Sequence, residues 1–452
     1  MTHPTTTPPT SLASALNQSC YCRTLDAEQL RFHLARDPTL RNMAYSIGVS
    51  HPHLFSNTAV FLSAQVIADI THAVQAIERV FDLPSWRQHA LANAAAIGQE
   101  DHGPVGVLMG YDFHIGGEGA AVHPQLIEIN TNAGGALLNV ALVRAQHACC
   151  AAMDIALNGY RDLRTLDDDL LDMFASEWRL QRGTRPLKTI AIVDDDPANQ
   201  YLAPEFELFK HLFATRGLRA VVADARELEL RDGTLFHGDL PIDLVYNRVT
   251  DFDLSDPAHE TLAQAYASGA AVVTPHPRAH TLRANKQHLV TLGDAQALQQ
   301  LGVVPADQQT VLRVVPASVL VRAGNPDDLW ARRRQLFFKP LDGFGARAVY
   351  RGDKLTKKVW EQILAGDYIA QELVVPGTRA MEVDTEQTTL KFDVRAYTYG
   401  GKVLLLAART YNGQTTNFRT AGGGFAPVML VPDLPLRPTC GGSQLPRSAT
   451  CR

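Results

Sequence analysis

A mixed α/β (α+β) fold is what this sequence predicts, on two observations. After about residue 185, apolar strand segments alternate with helical ones, the pattern that builds a parallel sheet. After about residue 285, the apolar runs are hairpin-like and antiparallel in character. The length sets the scale: 452 residues exceed what one hydrophobic core usually organises, so two or three domains are expected.

The elements follow in order. Residues 1–10 are rich in proline and threonine and are expected to lack structure. Over Val60–Phe81, Val66, Ile67, Ile70, Val74, Ile77, Val80 and Phe81 recur near the helical period, which predicts an amphipathic helix across the whole stretch. GVLMGYDFH and LIEINTNAGG read as two strands of an antiparallel hairpin turning at Gly116–Gly119. A helical region is expected from about Ala136 to Arg182, ending in the charged QRGTRP linker. Then come strands KTIAIVDDD, LRAVVADA, IDLVYNRVTDF and AAVVTPHP, with a helix PEFELFKHLFATRG closed by Gly217 and another over His259–Ser268. Beyond these lie the strands LFFKPL, AVYRG, YIAQELV, LKFDVRAYTYGG and KVLLLAARTYN, and from about Pro432 a tail with little to pack.

Composition narrows the function classes. A 46% hydrophobic share with 20% charged residues is ordinary for a soluble globular enzyme. The net charge of −5, from 42 basic and 47 acidic residues, gives no sign of a nucleic-acid or anionic-membrane partner. No stretch approaches the roughly 20 apolar residues that span a bilayer, and MTHPTTTPPTS has no signal-peptide character. The expectation is a cytoplasmic protein acting on small molecules, with a homodimer as the assembly considered. None of the six cysteines falls in a CxxC pattern, and they are read as reduced thiols without a shared role.

The chemistry begins at LIEINTNAGG. Alternation places Glu128 and Asn130 on one strand face, a carboxylate beside an amide oxygen, and the hairpin would bring Asp112 to them as a third hard oxygen donor for Mg²⁺. A second cluster lies late in the chain. FFKPLDGFGARAVYRG joins a strand, Lys339 and a loop with Gly343 and Gly345 whose amides, from Gly343 to Ala346, could close over phosphates. Lys286 opens a helix in RANKQHLVTLGD. The backbone of Gln371, Glu372, Leu373 and Val374 could meet an adenine edge. Arg395 and Arg409 come from neighbouring strands, followed by Asn417, Arg419 and the glycines Gly422, Gly423 and Gly424. Arg248 sits at the carboxyl end of a parallel strand, where such sheets bind ligands, with Asp251 as an alternative ion-pair partner. For Arg395 the alternative is a cross-strand ion pair with Asp393 or a neighbour, and Arg409 has a similar alternative. His51 and His53 lack a third ligand nearby and read as a turn, and Asp194–Asp196 as solvated loop acids.

The order Lys286, Lys339, QELV, DVR, Arg409, Asn417 and the glycines resembles the ATP-grasp superfamily, which joins a carboxylate to an amine through an acyl phosphate. In most of that superfamily the acidic metal set comes last, whereas here it is found early, at Asp112, Glu128 and Asn130. The resemblance therefore implies a circularly permuted ATP-grasp fold with an inserted Rossmann-like parallel-sheet substrate domain. Within it the sequence is most similar to the eukaryotic-type glutathione synthetase family, on EINT with its glycines, VYNR at Arg248, Lys286, the KP-glycine hairpin, and Arg409, Thr410 and Gly422–Gly424. These matches are scattered from about residue 105 to 430.

The resemblance implies ATP and Mg²⁺ as cofactors, a metal held by Asp112, Glu128 and Asn130, and phosphates held by Lys286 and Lys339. Catalytic roles fall to Arg395 and Arg409, and substrate contacts to Arg248, Arg409, Gly422 and Gly423. Two departures stand out: Asp342 lies one position closer to its Lys-Pro than the family's acidic ligand, and Met109–Gly110 occupy the place of a substrate-side arginine. The expected regions are a helical 1–100, a metal-binding part 101–184, a substrate domain 185–283, a nucleotide and lid region 284–431, and a tail 432–452. The competing functions are a glutathionylspermidine-synthase-like or peptide-tailoring ligase, and a nucleotide-binding regulatory module without catalysis.

Overall fold

The structure is a computed structural model that describes residues 11–35, 47, 50–116, 122–146, 165–322, 326–341, 348–383 and 385–433. Its first strands are β1 (Val60–Ser63), β2 (Met109–Gly116) and β3 (His123–Asn130). The middle of the chain adds β4 (Thr189–Asp194), β5 (Arg219–Asp224), β6 (Leu228–Arg231), β7 (Thr234–His237), β8 (Leu240–Pro241), β9 (Leu244–Asn247) and β10 (Val272–Thr274). Then follow β11 (Ser318–Leu320), β12 (Leu336–Pro340), β13 (Tyr350–Arg351) and β14 (Tyr368–Glu372). The last four are β15 (Gly377–Val383), β16 (Glu386–Tyr399), β17 (Lys402–Tyr411) and β18 (Gly424–Val431).

The largest sheet runs β1-β18-β17-β16-β2-β3, with β15 also paired to β16. The early hairpin β2–β3 therefore sits in one sheet with the last strands, because β2 pairs antiparallel with β16. The predicted helix over Val60–Phe81 is corrected at its start. Val60–Ser63 is a strand parallel to β18, and the helix is Ala64–Asp82, capped by the Ser63 hydroxyl on the Val66 N–H. Val60, Phe61 and Leu62 favour a strand locally, and the open edge of β18 supplies their backbone partners.

The faces of this sheet divide the molecule. Val394 and Ala396 of β16 pack with Ile70, Val74, Ile77 and Phe81 of the helix Ala64–Asp82. Tyr397, one residue on and so on the opposite face, joins a second core with Phe174 and Trp178 of the helix Leu166–Arg182. That core also takes Ile190 and Tyr246 from the second sheet, whose order is β10-β9-β4-β5 with every pair parallel. Its helices are Ala203–Thr215 and Glu260–Ala267, and Gly217 adopts φ +73° after the first, as the sequence predicts. A third sheet, β11-β14-β12-β13, is antiparallel throughout. No helix among the described residues is long and apolar enough to cross a membrane.

Candidate active site

A cavity of about 1390 Å³ opens where the three sheets face one another. One wall is the β2–β3 hairpin, in register as Asp112 opposite Glu128 and Gly110 opposite Asn130. Between Asp112 and Phe113 the register shifts, since Phe113 pairs with Leu126 and Ile127 is the extra residue. This β-bulge re-aims the strand. Ile127, Glu128 and Asn130 all come to line the cavity, and the Ile127 carbonyl accepts the Lys339 ammonium at 2.5 Å. Strict alternation, the basis of the sequence reading, has no means of locating such an insertion.

Behind this wall Asp112 is fully buried and takes no part in lining the cavity. Its carboxylate accepts Arg395 Nε at 2.6 Å and Nη2 at 2.7 Å, a bidentate pair made possible by the direct register of the two residues. Arg409 Nη2 donates to the same carboxylate at 2.8 Å, while its Nε donates to Asp393, its cross-strand partner, at 2.7 Å. The predicted direct metal ligand is thus corrected: both Asp112 oxygens are taken by guanidinium donors. Burial pushes this carboxyl up, but the two arginines outweigh it and hold it well below the usual carboxylate range. The cross-strand pair suggested for Arg395 does form, with its β2 neighbour Asp112 rather than with Asp393. Gly110 is small for a reason, since a Cβ there would stand 2.7 Å from Ala133 Cβ and 3.2 Å from Arg395 Nε.

Glu128 and Asn130 remain as cavity-facing donors. Asn130 Nδ2 lies 3.2 Å from Glu128 Oε1 and 3.2 Å from Asp112 Oδ2, so the three predicted residues do meet. A half-turn of the amide presents Oδ1 instead. Among the described residues no group of three or more His, Cys, Asp or Glu side chains could hold a metal by itself. One carboxylate and one amide oxygen suit Mg²⁺, which commonly takes one or two protein ligands and completes its shell with water and phosphate.

At the nucleotide-facing end, Lys339 is buried on β12, donating also to Gln371 Oε1 at 2.8 Å. Burial drags its pKa down to about 8. Lys286 lines the same cavity just before the short helix His288–Leu292. Of the predicted hinge, the N–H groups of Glu372 and Leu373 are already donated to Ala317 (2.9 Å) and Gln335 (2.8 Å), as β14 continues its pairing. They are therefore removed as adenine donors. Gln371, Glu372, Leu373 and Val374 nonetheless line the cavity, and Gln371 Nε2 is without a partner. Gly343, Gly345 and Asp342 lie outside the described residues.

The far end is built on the parallel sheet. Arg248 follows β9, lines the cavity, and is buried with Nε unpartnered. Its side-chain hydrogen bond is a long one of 3.4 Å to the Tyr246 hydroxyl, and no ion pair to it forms among the described residues. The proposed Arg248–Asp251 pair is corrected: Asp251 binds His259 instead. Asp194, the next residue after Val193 on the neighbouring strand end, is pushed by burial up to about 7, despite the pull of Arg248. The NTNAGG turn reaches this end. Asn132 Nδ2 donates to the Arg248 and Val249 carbonyls, and a Cβ on Gly134 would stand 2.8 Å from Arg248 Nη2. Asn132, Tyr201, Phe252 and His280, all lining residues, were not found by sequence reasoning, because no motif spacing marks them.

Asn417 lines the cavity, but its side chain also organises its own loop, donating to the Asn412 carbonyl and accepting from the Arg419 N–H and the Thr420 hydroxyl. The triple glycine is corrected from a substrate loop to a turn. Gly422 and Gly423 do not line the cavity; Gly422 has φ +71°, and a Cβ on Gly424 would stand 2.5 Å from the His53 carbonyl.

No protein-family profile matches this sequence, and no curated protein matches it. Among solved structures, a glutathione synthetase-like effector (GSS30) from Globodera pallida, in its apo form, superposes with a TM-score of 0.54 at 11% identity. The match covers 90% of this chain and 97% of that one. The chain shares a glutathione synthetase-like fold. At this identity the likeness concerns the fold alone. A γ-glutamylcysteine-synthetase-like protein of Methylobacillus flagellatus is more distant, with a TM-score of 0.43 at 10% identity over 79% of this chain and 84% of that one. The ATP-grasp ligase PsnB, complexed with minimal precursor, Mg and ADP, has a TM-score of 0.27 at 16% identity over 53% of this chain and 87% of its own. Neither of these two bears on the fold of the whole chain.

Proposed function

We propose that this protein is an ATP- and Mg²⁺-dependent carboxylate–amine ligase of circularly permuted ATP-grasp type, forming an acyl phosphate that an amine then attacks. One observation carries the reading: Lys286, Lys339, the Gln371–Val374 edge, Glu128 with Asn130, Arg395 with Arg409, and Arg248 all line one cavity, although they are drawn from across the chain. The glutathione synthetase-like fold supports it.

Each group has a task that its chemistry fits. Lys286 and Lys339 hold phosphates. Glu128 and Asn130 would hold Mg²⁺, whose charge neutralises phosphate oxygens during transfer. Arg395 and Arg409, clamped by Asp112 and Asp393, present fixed guanidinium donors to the transferred phosphoryl group or to a substrate carboxylate. Arg248, a buried cation whose Nε has no partner and which forms no ion pair among the described residues, receives an anionic group of the substrate. The parallel sheet of β4, β5, β9 and β10 is the substrate domain, bound at its carboxyl edge.

The test is ADP release measured against a panel of amino acids, dipeptides and polyamines, with Glu128→Ala as control. Turnover with one carboxylate–amine pair, lost on Glu128→Ala while the fold persists, is the expected result. If no pair stimulates ADP release and Glu128→Ala leaves nucleotide binding unchanged, the reading is wrong.

A further inference from the structure

The two loops that build the far end of the cavity are joined by one side chain outside the site described above. His259 ends a short 3₁₀ turn before the helix Glu260–Ala267 and is 3% exposed. Its Nδ1 lies 2.8 Å from Asp251 Oδ2, and its Nε2 lies 2.8 Å from Asp195 Oδ1. Asp195 belongs to the loop after β4, which contributes Asp195 itself, Gln200 and Tyr201 to the cavity. Asp251 belongs to the loop after β9, which contributes Arg248, Thr250 and Phe252.

We infer that His259 is a positioning residue whose imidazolium clasps these two loops together and so fixes the distance across the substrate end of the cavity. Two carboxylates, each at hydrogen-bond distance from a different ring nitrogen, require two N–H donors, and only the charged ring has both. A neutral ring leaves one carboxylate facing a lone pair, and that contact turns repulsive.

Each partner is itself anchored, so the clasp transmits force to the backbone. Asp251 also accepts the Asp256 N–H at 2.8 Å and the Ser255 hydroxyl at 3.3 Å. The Asp195 carbonyl accepts Gln200 Nε2 at 2.6 Å, and Asp194 Oδ1 accepts the Asp195 N–H at 2.8 Å. The charged groups that act on the ring are the two carboxylates themselves, Asp251 and Asp195. Arg226 is spent on Asp224 at 2.6 Å. Burial pulls the His259 pKa down, but the hydrogen bonds to Asp251 and Asp195 outweigh it and hold the ring above the usual histidine range. The clasp is therefore fully present below the unfolded histidine value and is lost as pH rises through the higher folded one.

Calling the clasped region a substrate end rests on the ligase reading; the clasp does not. The experiment is hydrogen–deuterium exchange of the full chain without nucleotide, from pH 5.5 to 9, corrected for intrinsic exchange. Residues 195–202 and 249–256 are expected to exchange at least tenfold faster above the titration of His259, whose midpoint is followed by ¹H–¹³C NMR. In Asp195→Asn the carboxamide can donate to an unprotonated Nε2, so protection should persist and the step should vanish. A flat wild-type profile, a step displaced by more than one pH unit from the His259 midpoint, or a full step in Asp195→Asn overturns the clasp. Thermal stabilisation by Mg-ATP is measured alongside. A step without nucleotide stabilisation upholds the clasp and sinks the ligase reading; stabilisation without a step sinks the clasp alone.

Discussion

Replacing Asp112 by Asn isolates the buried charge centre behind the site. In the wild type one carboxylate, with no solvent exposure, accepts three guanidinium hydrogen bonds of 2.6–2.8 Å from Arg395 and Arg409. The amide keeps the volume and one acceptor, but it removes the negative charge and turns one end into a donor facing guanidinium N–H groups. Breaking a buried pair from one side costs about 3–5 kcal/mol, because the remaining charge is left uncompensated. Here Arg409 keeps Asp393, so the lower half of that range, about 3–4 kcal/mol, applies. For a cooperative unit of roughly 150–250 residues, each kcal/mol shifts Tm by about 2–4 °C, which gives a fall of roughly 6–16 °C. The assay is differential scanning calorimetry, reading the transition that moves, since a chain of this size need not unfold in two states. Glu128→Ala, on the cavity wall, is the contrast and should stay within about 2 °C of wild type, as substitutions at partly exposed site residues cost little. If Asp112→Asn melts with wild type, or if both variants fall equally, the separation of a buried counter-ion from a cavity ligand is wrong. The acid limb has the same cause: the depressed carboxyl contributes stability above the unfolded aspartate value, which is lost as pH falls through the folded one.

Lys339 gives a test in which two observables move in opposite senses. With a folded pKa of about 8, below its unfolded value, stability should rise with pH from there up to the unfolded lysine value, while ATP affinity, measured by calorimetric titration, should fall over the same rise; parallel trends would refute its phosphate role. Gly134→Ala should displace Arg248, since its Cβ falls 2.5 Å from Leu202 Cδ1 and 2.8 Å from Arg248 Nη2. Raised KM for the carboxylate substrate, with ATP KM within about twofold, is the result to look for, and an unchanged substrate KM counts against Arg248. Arg379 is fully buried and donates to the Ala59 and Cys20 carbonyls and to the Thr58 hydroxyl at 2.5–2.7 Å. Arg379→Ala strands these acceptors at about 1–3 kcal/mol each, so exchange over residues 11–25 and 58–63 should quicken at least tenfold, and no change would show that β15 does not anchor that segment.

The sequence by itself determined the elements whose cause is local. Four apolar runs with helical segments between them define the parallel sheet, and the GYDFH and LIEIN segments define a hairpin in which Asp112, Glu128 and Asn130 converge. It also singled out both lysines and both arginines, by the order in which they occur along the chain. Only the tertiary structure decided what each one touches. Whether Asp112 meets a metal or two guanidiniums depends on β2 pairing with β16, a contact spanning nearly 300 positions of sequence. That Val60–Ser63 is a strand depends on the free edge of β18, and that Ile127 turns its carbonyl to Lys339 depends on one bulged residue. Periodicity records which face a residue shows; it holds no information about which strand lies alongside, and in this protein the neighbouring strand sets the charge, the partner and the role.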